Sequence, residues 1–156
     1  TDLPVNDAVV ISNVVLKMDG KEIITMAEPF MDPESKEVQK VLLANMLKFA
    51  DALPDIPFGV YECPYPYKRV LSPELLKAMA DDGRFHFLKD TCCDTEMLKA
   101  KHEAVKGSNL KIFNANAATF LQSLRMGCSG YSGVMANFHP ELYSQLIKAY
   151  NDGNSE

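Results

Sequence analysis

Short apolar runs alternate with longer amphipathic segments along most of this 156-residue chain, and this alternation restricts the possible fold more than any other feature. The apolar runs have the length of strands, and the segments between them place apolar residues at helical spacing. This order is typical of parallel strands joined by helices that cover the sheet. The sequence therefore predicts an α/β fold with strands at residues 23–27, 58–61, 85–89, 110–114 and 130–136.

Capping residues and glycines mark the ends of the predicted helices. A helix is predicted to start where a capping residue is followed within one helical turn by proline or an acidic residue. This pattern occurs at four positions: Asp32, Ser72, Asp94 and His139. Helix ends are predicted just before three glycines, Gly83, Gly107 and Gly127. The faces that pack on the sheet are predicted from apolar residues at helical spacing: Leu42, Leu43, Met46, Phe49, Leu75 and Met79.

Residues 5–18 fit two structures. Several of them, such as Val9, Val10 and Ile11, are β-branched, but Ala8, Ile11 and other apolar residues also fit one face of a helix. We favour a helix here because it continues the alternation. The alternative is a hairpin that turns at Asp19-Gly20.

Length and charge narrow the functional class. A chain of 156 residues predicts a single domain over residues 1–156. The net charge of −5, without a basic cluster, argues against nucleic acid and anionic membranes as partners. No apolar stretch approaches the roughly 20 residues of a membrane span, and no leader is recognisable at the N-terminus. We therefore expect a cytoplasmic protein that acts on a small molecule.

The four cysteines do not form a metal-binding pattern. Cys63, Cys92, Cys93 and Cys128 lack the C-x-x-C spacing of tetrahedral zinc sites, and adjacent residues of a strand point to opposite faces. We expect reduced, structural thiols and no metal. A redox role for Cys92-Cys93 is the alternative.

Lys89 is the candidate nucleophile. It ends the apolar run that begins at Phe85. A lysine at the inner end of a buried strand is unusual, which indicates a specific role for it. Burial disfavours the charged form of an amine, and a neutral amine can attack a carbonyl carbon to form a Schiff base. The alternative is a lysine that reaches solvent or pairs with Asp90 or Asp94.

Tyr61 ends the preceding apolar run and is the candidate proton relay. Its alternative role is that of a core aromatic residue whose hydroxyl reaches the rim. Glu62 is expected on the opposite face of the strand, where it either supports the site residues from behind or contacts a helix. His86 is expected to be a buried histidine.

Three motifs resemble those of one enzyme family. Tyr61-Glu-Cys-Pro64 resembles the motif Tyr-Asn-x-Pro, and Lys89-Asp-Thr-Cys-Cys-Asp94 resembles Lys-x-[Ser/Thr]-x-Gly-Asp. The segment Gly127-Cys-Ser-Gly130, followed by Asn137-Phe-His-Pro140, resembles Gly-Ala-x-Gly with a later Asn-x-x-Pro turn. From about residue 8 onward the chain resembles the dihydrodipicolinate synthase and N-acetylneuraminate lyase family of pyruvate-dependent class I aldolases.

The resemblance implies a fold, an activity and a set of site residues. The family fold is a (β/α)8 TIM barrel with its site at the carboxyl ends of the strands, so five strands imply a partial barrel, either a segment of a longer protein or a paired half barrel. Lys89 would form an imine with pyruvate or another 2-oxo acid, and Tyr61 would carry protons. Substrate contacts are expected from Thr91, Ser132 and Tyr67. Thr91 is alternatively a hydroxyl that serves the strand end or the start of the next helix, and Tyr67 alternatively packs at a subunit contact. The family also implies no cofactor and a homo-oligomer, a dimer or a tetramer.

Departures from the family motifs leave a second hypothesis open. Met31 stands where an aromatic hydroxyl is expected, and Ala117-Ala118 stands where the sialic acid lyases place two carboxylates. The chain therefore matches neither named branch in full. The alternative to a lyase is a non-catalytic barrel segment with a structural or small-molecule-binding role.

Overall fold

A computed structural model describes residues 35–64 and 68–154, together with the backbone of residues 9–11, 17–18 and 21–22. The strands are β1 (Val9–Ile11), β2 (Lys17–Met18), β3 (Lys21–Glu22), β4 (Phe58–Tyr61), β5 (Phe85–Asp90), β6 (Lys111–Asn114) and β7 (Gly130–Tyr131). The α-helices are α1 (Lys36–Ala52), α2 (Pro73–Asp82), α3 (Thr95–Val105), α4 (Phe120–Met126) and α5 (Pro140–Asn151). Short 3-10 helices, Ala117–Thr119 and Val134–Asn137, follow β6 and β7. None of the helices in these ranges has the length and apolar character needed to cross a bilayer.

Five of the described strands form one parallel sheet in the order β1-β4-β5-β6-β7. Helices connect the strands from β4 onward, which confirms the predicted α/β organisation. Because the strands are parallel, their carboxyl ends meet at one edge of the sheet. Barrel and open α/β enzymes place their sites at this edge.

Of the five predicted strands, three agree with the structure, one is wrong in part and one cannot be compared. Residues 58–61, 85–89 and 111–114 are strands as predicted. The strand predicted over residues 130–136 is wrong beyond Tyr131, because the chain leaves the sheet there and Ala136 N donates to Gly133 O to begin a 3-10 turn. The strand predicted at residues 23–27 lies outside the described residues.

The helix favoured for residues 5–18 is wrong wherever this segment is described. Val9–Ile11 pairs in parallel with Phe58, Gly59 and Val60 of β4, as its β-branched residues allow. Lys17–Met18 pairs antiparallel with Lys21–Glu22, which agrees with the alternative hairpin; its predicted turn lies outside the described residues.

The helix boundaries follow the capping residues. Ser72 accepts a hydrogen bond from Leu75 N at 3.1 Å, and Asp94 accepts from the backbone at the start of α3, as predicted. The predicted start of α1 at Asp32 lies outside the described residues, and the helix is capped by Ser35, which accepts from Val38 N at 3.2 Å. Gly83 ends α2 at φ 84°, a left-handed conformation that favours glycine.

One face of the sheet packs against the helices and forms the core. The strands contribute Phe58, Val60, Leu88 and Ile112, each at most 3% exposed. The helices contribute the predicted apolar positions, which are fully buried at Leu42, Met46, Phe49, Leu75 and Met79 and partly buried at Leu43. Because side chains alternate along a strand, the other face carries Gly59, Tyr61, Phe87, Lys89 and Phe113.

The buried position predicted for His86 is wrong. His86 is exposed, and its Nε2 lies 3.1 Å from Gly83 O. The register between β4 and β5 is irregular here, because Phe58 lies beside Phe85 and Gly59 lies beside Phe87. The extra residue in β5 is His86, which explains why its side chain leaves the packed face.

Candidate active site at the carboxyl ends of the strands

Tyr61 and Lys89 lie side by side at the carboxyl ends of β4 and β5. The two residues are register partners in the parallel sheet. The Lys89 Nζ lies 4.2 Å from the centroid of the Tyr61 ring, a distance at which an ammonium group is attracted to the ring face. The structure therefore brings together the two side chains that the sequence predicts as nucleophile and proton relay.

The surroundings of Tyr61 favour its protonated phenol. Burial raises the pKa of Tyr61, and repulsion from Cys63 together with a side-chain hydrogen bond to Cys63 raises it further. Both Tyr61 and Lys89 are half-buried, so neither is sealed in the core. A protonated phenol next to an amine can donate its proton to a leaving hydroxyl group.

Two aromatic rings lie on the same face of the sheet as this pair, and one of them belongs to Phe113, the register partner of Lys89. Phe87 and Phe113 have ring centroids 4.8 Å apart. A Cβ at Gly59 would lie 3.1 Å from the Phe87 ring, and one at Gly130 would lie 3.0 Å from the Phe113 ring. The two glycines therefore leave the space that the rings occupy, and the rings make this face of the sheet apolar next to Lys89.

Thr91 is held by β4 at the end of β5. Its hydroxyl donates to Glu62 O at 2.6 Å, and its backbone N donates to Glu62 Oε2 at 2.9 Å. The hydroxyl proton is thus directed to the protein, while the oxygen can still accept a hydrogen bond. The predicted contact between Thr91 and substrate stays a prediction.

The other predicted substrate contacts lie beyond β7 and in the loop after β4. Ser132 is half-buried, and its N donates to Asn114 O at 2.9 Å, which places it at the same edge of the sheet as Lys89. Tyr67 lies outside the described residues. Ala117 and Ala118 are exposed in the 3-10 helix after β6, so this position offers no side-chain polar group.

A buried charge cluster on the helix-facing side of the same strands was missed by the sequence reasoning. The Lys101 Nζ lies 2.5 Å from Glu62 Oε1 and 2.5 Å from Asp90 Oδ2. Lys101 is 0% exposed, Glu62 2% and Asp90 1%. We refer to these three residues as the charge network. The expected helix contact of Glu62 is confirmed, since its partner belongs to α3.

Lys101 could have been found from helical spacing. It lies between Leu98 and Val105 at intervals of three and four residues, on the face of α3 that is buried. Asp90, one of two candidate partners of Lys89, pairs with Lys101 instead. Asp94 caps α3 by accepting from Glu96 N and Met97 N.

The charge network keeps a charged lysine in the protein interior. Burial opposes the ammonium form of Lys101, but Glu62 and Asp90 outweigh this effect and raise its pKa. Burial raises the pKa of Glu62, whereas Lys101 opposes that increase. Burial is the largest of these effects and the Asp90 carboxylate adds to it, so the pKa of Glu62 lies above its usual value.

The thiols near the site are poorly suited to redox chemistry. Burial raises the pKa of Cys92 to about 12, with a further contribution from Asp90. Burial also raises the pKa of Cys128 to about 11. The thiolate is the reactive form, so both groups are inert near neutral pH. This finding argues against a redox role for Cys92-Cys93.

Cys93 has a left-handed backbone at the position of the glycine in the family motif. Its φ is 59°, a conformation that is costly for a residue with a Cβ. We expect Cys93→Gly to raise the free energy of unfolding by about 0.5–1 kcal/mol, because the relief of strain exceeds the extra flexibility of the unfolded chain. Urea unfolding measures the change. Cys93→Ala removes the thiol but keeps the Cβ, and an equal gain in that variant would contradict the strain.

The parallel sheet and its helices form part of a (β/α)8 barrel. The sequence matches the dihydrodipicolinate synthetase family over residues 16–156, and the chain belongs to this family. Among solved structures, YagE of Escherichia coli K12, a prophage protein of the dihydrodipicolinic acid synthase family determined in complex with pyruvate, superimposes with a TM-score of 0.69. The sequence identity is 25%, and the match covers 78% of this chain and 42% of YagE.

Curated relatives are lyases of the same family. A 4-hydroxy-tetrahydrodipicolinate synthase of Clostridium perfringens is 25% identical over 131 residues, which cover 84% of this chain and 43% of that enzyme. A DapA-like lyase of Halobacterium salinarum, itself uncharacterized, is 33% identical over 103 residues, or 65% of this chain and 33% of that protein. The chain therefore spans less than half the length of these relatives.

Proposed function

We propose that the protein is a Schiff-base-forming lyase or aldolase that acts on pyruvate or another 2-oxo acid. In this proposal Lys89 is the imine-forming nucleophile and Tyr61 is the proton relay. The observation that carries it is the register pair at the carboxyl ends of β4 and β5, with the Lys89 Nζ 4.2 Å from the Tyr61 ring centroid. The pyruvate in the YagE complex supports the choice of a 2-oxo acid.

The chemistry begins with the amine of Lys89. After losing its proton, the Nζ attacks the keto carbon of the 2-oxo acid and forms a carbinolamine. Loss of the hydroxyl group as water gives the protonated imine. The imine withdraws electrons from the adjacent carbon, which then loses a proton to give an enamine that can form or break a carbon–carbon bond.

Tyr61 is suited to the proton transfers in this sequence. Its raised pKa keeps the phenol protonated until a hydroxyl group departs from the carbinolamine. The phenolate that results can take a proton back in a later step. Thr91 donates its own proton to Glu62 O, so in this proposal its oxygen accepts a hydrogen bond from the hydroxyl group of the carbinolamine.

The remaining predictions concern the whole protein. We propose that the remaining strands of the barrel come from the rest of a longer protein or from a partner chain, because the chain covers 42% of the YagE barrel. Substrate contacts from Ser132 and Tyr67 belong to the same proposal. Assembly into a homo-oligomer, a dimer or a tetramer, and a cytoplasmic location stay predictions.

Exchange of the methyl protons of pyruvate for deuterium tests the proposed function. Imine and enamine formation labilises these protons. The protein with its complete natural sequence should therefore accelerate their exchange in deuterium oxide. Proton NMR follows the loss of the methyl signal against buffer without protein. Exchange no faster than in buffer would contradict the proposal and favour the non-catalytic barrel segment.

Removal of the Tyr61 hydroxyl is expected to slow exchange without preventing imine formation. We expect Tyr61→Phe to reduce the exchange rate at saturating pyruvate by about 100-fold, because general acid–base catalysis contributes at least that much. The ring is kept, so its contact with Lys89 is preserved. Tyr150→Phe, a tyrosine of α5, is the matched control and should leave the rate unchanged. An undiminished rate in Tyr61→Phe would exclude the relay.

A further inference from the structure

The charge network and the candidate catalytic pair share the same two strand ends. Glu62 directly follows Tyr61, and Asp90 directly follows Lys89. Since neighbouring residues of a strand point to opposite faces, the two carboxylates point toward α3 while Tyr61 and Lys89 point to the other face. Any shift of the two carboxylates therefore also moves the peptide units that carry the catalytic pair.

Hydrogen bonds through Glu62 join the ends of β4 and β5. The backbone N of Glu62 donates to Lys89 O at 3.2 Å, and its carboxylate and carbonyl oxygens both accept from Thr91. The same carboxylate accepts from Leu71 N at 2.8 Å in the loop before α2. Glu62 therefore fixes the separation of the two strands at the level of the Tyr61–Lys89 pair.

Asp90 and Lys101 connect this strand end to its other neighbours. Asp90 O accepts from Ala115 N at 3.0 Å after β6, and its Oδ1 accepts from Cys92 N at 3.1 Å. Lys101 reaches from α3 and contacts both carboxylates at 2.5 Å. Without this cation, two buried carboxylates would repel each other and lose the group that holds them together.

We propose that Glu62, Lys101 and Asp90 are positioning residues that hold the Lys89 amine and the Tyr61 phenol in reactive alignment. This inference rests on the proposed function, because it concerns the rate at which the same pair forms an imine and an enamine. None of the three residues needs to touch the substrate. Their effect is transmitted through the ends of β4 and β5, so it acts on the rate of the chemical step rather than on pyruvate affinity.

The test separates positioning from structural support. The protein is used with its complete natural sequence. Its deuterium-exchange rate is measured at a series of pyruvate concentrations, which gives a maximal rate and a half-saturating concentration. Positioning predicts that Lys101→Met lowers the maximal rate by about 100-fold, the cost of a misalignment near 1 Å, with the half-saturating concentration unchanged. Lys101→Arg keeps the cation and should recover most of the rate.

Two further variants keep the test decisive. Lys99→Met removes a cation from the exposed face of the same helix and should leave both values unchanged. Glu62→Gln leaves Lys101 and Asp90 as a balanced pair, although its amide nitrogen replaces one of two oxygens that accept hydrogen bonds. We therefore expect it to lose less stability than Lys101→Met and to stay folded if Lys101→Met does not. We expect Glu62→Gln to lower the maximal rate by about tenfold, since one of the contacts that align the strand ends is weakened.

The outcomes distinguish this inference from the proposed function. Suppose that the wild-type protein catalyses exchange and that a folded Lys101→Met or Glu62→Gln variant does so at the same maximal rate. This result would overturn the positioning role and leave the proposed function intact. A change confined to the half-saturating concentration would also overturn it. No exchange by the wild-type protein would overturn the proposed function, and the positioning role with it. A lower maximal rate in Glu62→Gln, with recovery in Lys101→Arg, supports the inference.

Discussion

Replacement of Lys89 by methionine is expected to reduce deuterium exchange into pyruvate to the rate of buffer without protein. Methionine has a similar length and keeps the packing of the strand end, but it has no amine that could attack a carbonyl carbon. The register pair with Tyr61 is a backbone feature and should persist in the variant. Proton NMR of the pyruvate methyl group measures the effect directly.

Lys111→Met is the matched control for this experiment. Lys111 is also a lysine in a strand, but it is exposed. It is the first residue of β6, which pairs with β5, the strand that carries Lys89. It lies at the amino end of the sheet, away from the carboxyl ends that form the candidate site. We expect wild-type exchange in Lys111→Met. If exchange survives in Lys89→Met and is lost in Lys111→Met, then Lys89 is not the imine-forming lysine.

The second large effect concerns stability. Lys101→Met is expected to lower the free energy of unfolding by about 3–5 kcal/mol, because it leaves two buried carboxyl groups without their cation. Glu62 and Asp90 are 2% and 1% exposed, so water cannot replace the lost partner without opening the structure. Urea unfolding followed by circular dichroism measures the difference.

The control for the stability prediction is Lys99→Met. This lysine is exposed on α3, and surface substitutions of this kind change stability by less than about 0.5 kcal/mol. Equal unfolding midpoints for Lys101→Met and Lys99→Met would show that the charge network does not stabilise the fold. The stability loss and the exchange rate are separate measurements, so a destabilised but folded variant still reports on catalysis.

Local sequence patterns predicted the elements that carry the site. Phe58–Tyr61 and Phe85–Asp90 are apolar runs with clear boundaries, and Ser72 and Asp94 mark the helices that follow them. Parallel strands place their carboxyl ends together, so the proximity of Tyr61 and Lys89 followed from the order of elements. The family motifs around these residues led to the same pair.

Features that depend on tertiary packing were not visible in the sequence. The strand at Val9–Ile11 is set by pairing with β4, and periodicity alone did not distinguish it from a helix. The exposure of His86 follows from an irregular register with β4, which no local pattern encodes.

The charge network escaped prediction for a related reason. A lysine is usually a surface residue, and Lys101 belongs to the interior only because Glu62 and Asp90 meet it across two other elements. Its place between Leu98 and Val105 was a usable signal. The carboxylates gave a second signal, since each directly follows a candidate catalytic residue.

Reductive trapping shows whether Lys89 forms an imine with a 2-oxo acid, because borohydride converts the imine to a stable amine. The protein is incubated with pyruvate and borohydride, its intact mass is measured, and the modified peptide is mapped. We expect one reduced pyruvyl group per chain, attached to Lys89. An unmodified protein, or an adduct on another lysine with Lys89 untouched, would contradict it.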